Sequence, residues 1–186
     1  MTALPVSEIF RHPDGRSRLA VHVWRSDQTR QHYLSFDRRL AAGTGRSGAH
    51  VHVDCDSSFQ LRSGRALYAV DGEDRVLEVG ERVVIPAGTP HVDPYTEPGQ
   101  EAELHLTMEP GGDFAYRFAR TFGRALAAGA VNDQHELPWL HLMVVLRATR
   151  AETYAVGPPR LIQKHIAIPL AAWIGRRIFG YQVVWL

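Results

Sequence analysis

Up to about residue 110, apolar and polar positions alternate with a period of two, the pattern of strands that bury one face. The clearest runs cover 18–24, 32–36, 59–61, 66–70, 76–79, 82–85 and 103–108. Clusters rich in glycine, proline and aspartate at 42–45, 62–64, 71–74 and 86–90 separate them and predict turns. Short strands at this spacing predict a sandwich or barrel. Near Gly111 the period lengthens. Phe114, Phe118 and Phe122 recur every fourth residue with Arg117, Arg120 and Arg124 between them, which predicts an amphipathic helix with a solvated arginine face. A second helix is predicted from Pro138, carrying Trp139, Met143 and Val144. After 157–159 a third places Ile162, Ile166, Leu170, Ile174 and Ile178 on one stripe, with a kink expected at Pro169. The reading is a mainly β domain over 1–110 followed by a helical extension over 111–186, packed on its outside or over one mouth.

Composition narrows the classes. The 186 residues, 45% hydrophobic and 22% charged, suffice for one well-cored domain and argue against disorder. A formal net charge of +1 provides no basic field for nucleic acid. The single cysteine, Cys55, excludes an intramolecular disulfide and fits a reducing cytoplasm. No basic-then-apolar signal pattern opens the chain. The most apolar segment, 166–175, is shorter than the roughly 20 residues of a membrane span and is ended by Arg176 and Arg177. A cytoplasmic location is the expectation.

The candidate chemistry begins at 48–64, where His50 and His52 stand one residue apart. Residues i and i+2 of a strand face the same way, so both imidazoles converge on one side. A third ligand must come from another strand, and His91, after a strand that ends in a Pro/Gly turn, is the candidate. Here the chain resembles the cupin superfamily. Gly80, Pro86, Gly88 and His91 stand at the spacing G-x5-P-x-G-x2-H of the second cupin motif; His50, His52 and Gly64 match the first, G-x5-H-x-H-x3,4-E-x6-G. The resemblance implies a jelly-roll β-barrel and one divalent transition metal ion (Fe, Mn, Ni, Cu or Zn) on His50, His52 and His91. The chain departs from the motifs at Thr44 (glycine), Ser57 (glutamate) and Tyr95 (asparagine).

Without the glutamate the expected shell is three neutral imidazoles, a site that favours anionic chelating substrates; some cupin dioxygenases offer the precedent. A carboxylate could still come from Asp54, Asp56 or Asp93. Asp93 and Tyr95 share strand parity with His91 and are the candidate catalytic residues, whereas Ser57, Phe59, Leu61 and His105 are the candidate pocket lining. The functional expectation is a metal-dependent enzyme on a small organic molecule, oxygenation first, with isomerisation, cyclisation or decarboxylation close behind; the alternative is a ligand-binding cupin without turnover. The 162–178 stripe, with Trp173, Phe179 and Trp185 near it, predicts a homodimer interface, and attachment to a membrane surface is its second reading.

Overall fold

The computed structural model describes residues 6–25, 32–110 and 112–184, and Trp185 of the expected interface lies outside them. Ten strands come first: β1 (Val6–Arg11), β2 (Arg18–Arg25), β3 (His32–Leu40), β4 (His50–His52), β5 (Asp56–Gly64), β6 (Ala66–Val70), β7 (Glu73–Leu77), β8 (Arg82–Ile85), β9 (His91–Tyr95) and β10 (Ala102–Glu109). Then follow α1 (Gly112–Ala127), α2 (Trp139–Thr149), a short β11 (Thr153–Ala155), and a last helix. That helix runs as α3 (Arg160–Ile162), a π turn (Gln163–Ala167) and α4 (Ile168–Arg177).

The strands form two antiparallel sheets, β1-β2-β3-β10-β5-β8 and β11-β4-β9-β6-β7. The expected mainly β, cupin-like architecture with a helical extension is present. It is a two-sheet sandwich rather than a closed barrel: among the described residues no ladder joins the sheets, and β5 reaches only an isolated bridge, Leu61 to Val79. The alternation read along the chain is the alternation of burial. In β10, Ala102, Leu104, Leu106 and Met108 are buried while the residues between them are not. Their inward faces meet Leu19, Val21, Phe36, Leu40, Phe59 and Leu61 from the same sheet and Tyr68 and Leu77 from the other. Full burial of each large side chain stabilises by about 1.5–3 kcal/mol.

Helix α1 adds Ala115, Ala119, Phe122 and Leu126 to this core, and its phenylalanines form a row with ring separations of 5.7 and 5.9 Å. Its arginine face is not simply solvated. Arg120 is only 15% exposed and donates to Glu8 of β1 at 3.0 Å, because α1 lies across the first strands. Helix α4 packs on α2 through Ile168, Ala171, Ala172 and Gly175. A Cβ on Gly175 would stand 2.9 Å from the Leu140 carbonyl oxygen, so glycine sets that close approach. In the turn before Pro169, the Ile168 N–H reaches back to the Gln163 carbonyl, the π register, at the point where the sequence predicts a kink.

The extension is more than an outer layer. Its strand β11 pairs with β4, Thr153 opposite His52 and Ala155 opposite His50. The annex thus builds the sheet beside the histidine strand.

Gly64 closes β5 with φ +84°, and a Cβ there would lie 2.0 Å from the Glu101 carbonyl oxygen. Gly64→Ala should therefore destabilise the protein by about 2 kcal/mol or more, combining a left-handed backbone penalty with a backbone clash. Chemical denaturation checks this; an unchanged midpoint would contradict the close packing of β5 on β10.

Candidate metal centre

Three strands make the site. Strand β4 is only three residues long, and its middle residue, Val51, faces away from the two histidines. On one side β4 pairs with β9, with His50 directly opposite His91; on the other it pairs with β11. The possible ligand atoms of His50, His52 and His91 all lie within 4.8 Å of one another. Their rings are tilted by 47–80° at centroid separations of 4.5–5.3 Å, so the lone pairs converge instead of running parallel.

Hydrogen bonds select the converging atoms. His50 Nδ1 donates to the Gly48 carbonyl and His91 Nδ1 to the Thr89 carbonyl, both at 2.9 Å. His52 Nδ1 meets the Thr153 hydroxyl at 2.9 Å. A carbonyl only accepts, so the Nδ1 atoms of His50 and His91 carry their protons and their Nε2 lone pairs are left for a ligand. His91 Nε2 is buried and has no hydrogen-bond partner. A buried polar atom left unpaired costs about 1–3 kcal/mol, and a divalent transition metal is a natural partner for such a nitrogen where two further imidazoles converge on it.

Asp93 joins them. Its carboxylate oxygens stand 3.6 Å from His50 Nε2 and 3.8 Å from His91 Nε2. These separations are too long for hydrogen bonds and suit neighbouring ligands, or a ligand and a base, around one ion. The other two candidate carboxylates stay outside: Asp54 is exposed, and Asp56 accepts from the Ala87 N–H at 2.8 Å, tying down the loop before β9.

Tyr95, expected beside Asp93 by parity, is placed on the opposite face. Leu67 pairs with Tyr95 and Ala69 with Val92, so two steps along β6 span three along β9. This β-bulge contains Pro94, which has no N–H to give the ladder. Beyond it Tyr95 shares a cluster with Val92 and Ala69, donates to Asp74 at 2.8 Å, and lies under the Arg46 guanidinium. His105 also faces outward, bonded to Asp37 at 2.8 Å and to Arg62 at 3.2 Å, with His22 on the same carboxylate. Ser57, Phe59 and Leu61 do face inward on β5. Phe59 and Leu61 are each only 1% exposed and belong to the packed core, with Phe59 edge-on to Tyr68.

Electrostatics suits metal binding. Burial, then the neighbouring His50, pushes His52 down to about 3, and burial lowers His91. Both imidazoles are thus neutral at neutral pH, the form that ligates. Burial alone would raise Asp93, but His50, His91, His52 and Arg38 outweigh it and hold the carboxyl below its ordinary range. Burial, with Asp54, Asp56 and Asp93 nearby, pushes the Cys55 thiol up to about 12, which leaves it unreactive.

Sequence reasoning missed Arg38, Glu136, Phe114 and Thr153. Arg38 donates to Glu136 at 2.6 Å and to the His135 carbonyl at 3.3 Å, over the Phe122 ring. The available signal was a charge on the parity of Phe36 and Leu40, the buried face of β3. The Phe114 ring lies 6.2 Å from that of His52 and walls the site on the helix side. A second cluster, His12, Asp14 and His135, is less suited to an ion. Its two rings stack at 24°, so their lone pairs do not converge, and Arg16 already holds Asp14 at 2.8 Å.

Replacing His50, His52 or His91 by alanine should abolish metal uptake without unfolding the sandwich. Thr153→Val should weaken metal affinity by about 10–100-fold, the usual effect of losing a partner that orients a ligand, whereas Thr153→Ser should preserve it. Competition with a chelator, read by elemental analysis, checks both; equal affinity in Thr153→Val would remove the threonine's role.

No curated protein matches the chain by sequence. Among solved structures, it is similar to a cupin-2 domain containing protein from Shewanella frigidimarina, with 25% identity over 40% of this chain and 68% of that one, at a TM-score of 0.35. It is also similar to a polyketide cyclase from Streptomyces resistomycificus, with 17% identity over 48% of this chain and 63% of that one, at a TM-score of 0.39. A sugar phosphate isomerase from Silicibacter pomeroyi shows 14% identity over 57% of this chain and 71% of that one, at a TM-score of 0.40. Residues 36–93, which run from β3 through the His50/His52 strand to His91 and Asp93, match the family model of the Cupin domain, which identifies this part of the chain as a cupin domain.

Proposed function

We propose that this chain is a metal-dependent enzyme whose His50, His52 and His91 hold one divalent transition ion, and which acts on a small, anionic, oxygen-chelating organic substrate in a dioxygenase-type reaction. The observation that carries the proposal is the buried, unpartnered Nε2 of His91 beside two more imidazoles whose Nδ1 atoms are likewise engaged. When bound, the ion supplies Lewis-acid polarisation and a template for oxygen ligands. The protein's own contribution is preorganisation. Gly48, Thr89 and Thr153 hold the three rings, so little reorganisation remains at the moment of binding. Phe114 gives the site an apolar wall that limits water on the helix side. We assign the catalytic unit to residues 1–110 and treat 111–186 as the extension that lends it Thr153. A reducing cytoplasm suits the single buried thiol.

Asp93 favours a second reading. An ionised carboxylate against His50 and His91 is placed to take a proton from an acidic O–H or C–H of the substrate. That proton transfer prepares an anion for chelation, and by itself it is the chemistry of an isomerase or cyclase. The two readings separate when metal-loaded protein meets a diketonate or catecholate. Oxygen uptake marks oxygenation; anaerobic exchange of the acidic C–H with solvent deuterium marks proton transfer. Binding with neither would overturn the enzyme and leave a ligand-binding cupin.

Asp93→Asn should lower turnover by about 10²–10⁴-fold, the usual range for loss of a general base, while retaining metal. Metal loss in that variant would make Asp93 a fourth ligand instead. Tyr95→Phe, on the far face of β9, should leave turnover unchanged.

A further inference from the structure

We infer that the 160–179 segment seats this protein on an anionic membrane surface, lying in the interface rather than crossing the bilayer. The last helix uses its small residues inward: Ala171, Ala172 and Gly175, with Ile168, pack on α2. Its large residues point the other way. Ile162, Ile166, Leu170 and Trp173 follow one another at helical spacing along the opposite face, each at least 50% exposed, and Ile178 and Phe179 extend the strip past the helix end. No helix among the described residues is long and apolar enough to span a bilayer, so a parallel orientation is the one open to this face.

Charge identifies the occupant. Of the 21 basic and 20 acidic residues, 153–186 hold four of the former and none of the latter, which leaves 17 and 20 for the rest of the chain. The four are Arg160 at the helix start, Lys164 on its flank, and Arg176 and Arg177 at its end; Lys164 also contacts Glu152. An apolar strip with cations at both ends is what an anionic headgroup layer attracts. A second copy is the poorer fit. Pairing two such strips antiparallel sets Arg176 and Arg177 of each chain against Arg160 and Lys164 of the other, and parallel pairing sets each cluster against itself.

A second feature adjoins the strip. Arg147, Trp173, Arg176, Arg177 and Tyr181 line a cleft of about 640 Å³ between α2 and α4. Three guanidinium groups around an aromatic-walled cleft are suited to a lipid phosphate, and Trp173 belongs to both strip and cleft, an amphipathic ring at the level where tryptophans favour the interface.

Sedimentation of the full chain with vesicles tests this, using phosphatidylcholine alone and phosphatidylcholine mixed equally with phosphatidylglycerol. The chain should pellet with the mixed vesicles and not with the neutral ones, and raising the salt should release it. Arg176→Glu with Arg177→Glu, and separately Ile166→Ser with Leu170→Ser, should each lower binding at least tenfold. All four positions are exposed, and unchanged circular dichroism confirms the fold. Absence from the mixed vesicles, or equal binding to both kinds, would overturn the inference. So would light scattering that shows a dimer dissociated by Ile166→Ser with Leu170→Ser, because the strip would then be covered by a second copy.

Discussion

The direct pairing of His50 with His91 across β4 and β9 is the constraint on which the site depends. A slip of one residue would turn both β4 histidines to the other face of the sheet and scatter the three nitrogens. Strand β4 is too short to hold that register by itself. Its neighbours hold it: the Gly88 N–H donates to the His52 carbonyl at 2.7 Å, Val53 N–H to Glu152 at 2.9 Å, and Val156 N–H to Ala49 at 3.0 Å. Two of these three bonds come from the extension. Strand β11 would in turn leave an open sheet edge, and the buried amide of Gln163 closes it. Its oxygen accepts from the Ala155 N–H, and its nitrogen donates to the Ala155 and Pro158 carbonyls, so one side chain imitates a further strand.

That dependence explains what the sequence could and could not reveal. Period-two alternation marks β2, β3, β6, β8 and β10, most cleanly β10, where buried residues alternate with less buried ones, and the spacing of His50, His52 and His91 sits on strands that alternation and turns already delimit. Strand β11 leaves no such trace. Three residues after a helix are too few to show a period, so Thr153 could not be connected with His52 before the sheet order was known. Parity carries correctly from His91 to Asp93 and fails one step later, because Pro94 and its bulge flip Tyr95. The 162–178 stripe shows the other failure of periodicity. A period of 3.6 says that a helix has an apolar face, not that this face is inward, and here alanine and glycine are buried while isoleucine and leucine are exposed.

Charge counting links the site to its substrate. Arg38 is matched by Glu136 and adds a field rather than a net charge. His52 and His91 are kept neutral by burial, which leaves Asp93 as the negative group held against the Nε2 atoms of His50 and His91. The converging ligand atoms are those of His50, His52 and His91, with Ser57 where the motif has its glutamate. Asp93 stands on β9, two residues beyond His91, with its carboxylate 3.6 and 3.8 Å from the Nε2 atoms of His50 and His91. With the three imidazoles as its ligands a divalent ion would keep both positive units, and the Asp93 carboxylate beside it would offset one until it takes up a proton. In the proposed reaction a substrate that passes one proton to Asp93 on chelation would bring its own negative charge to the ion, so the net charge of the site would not change.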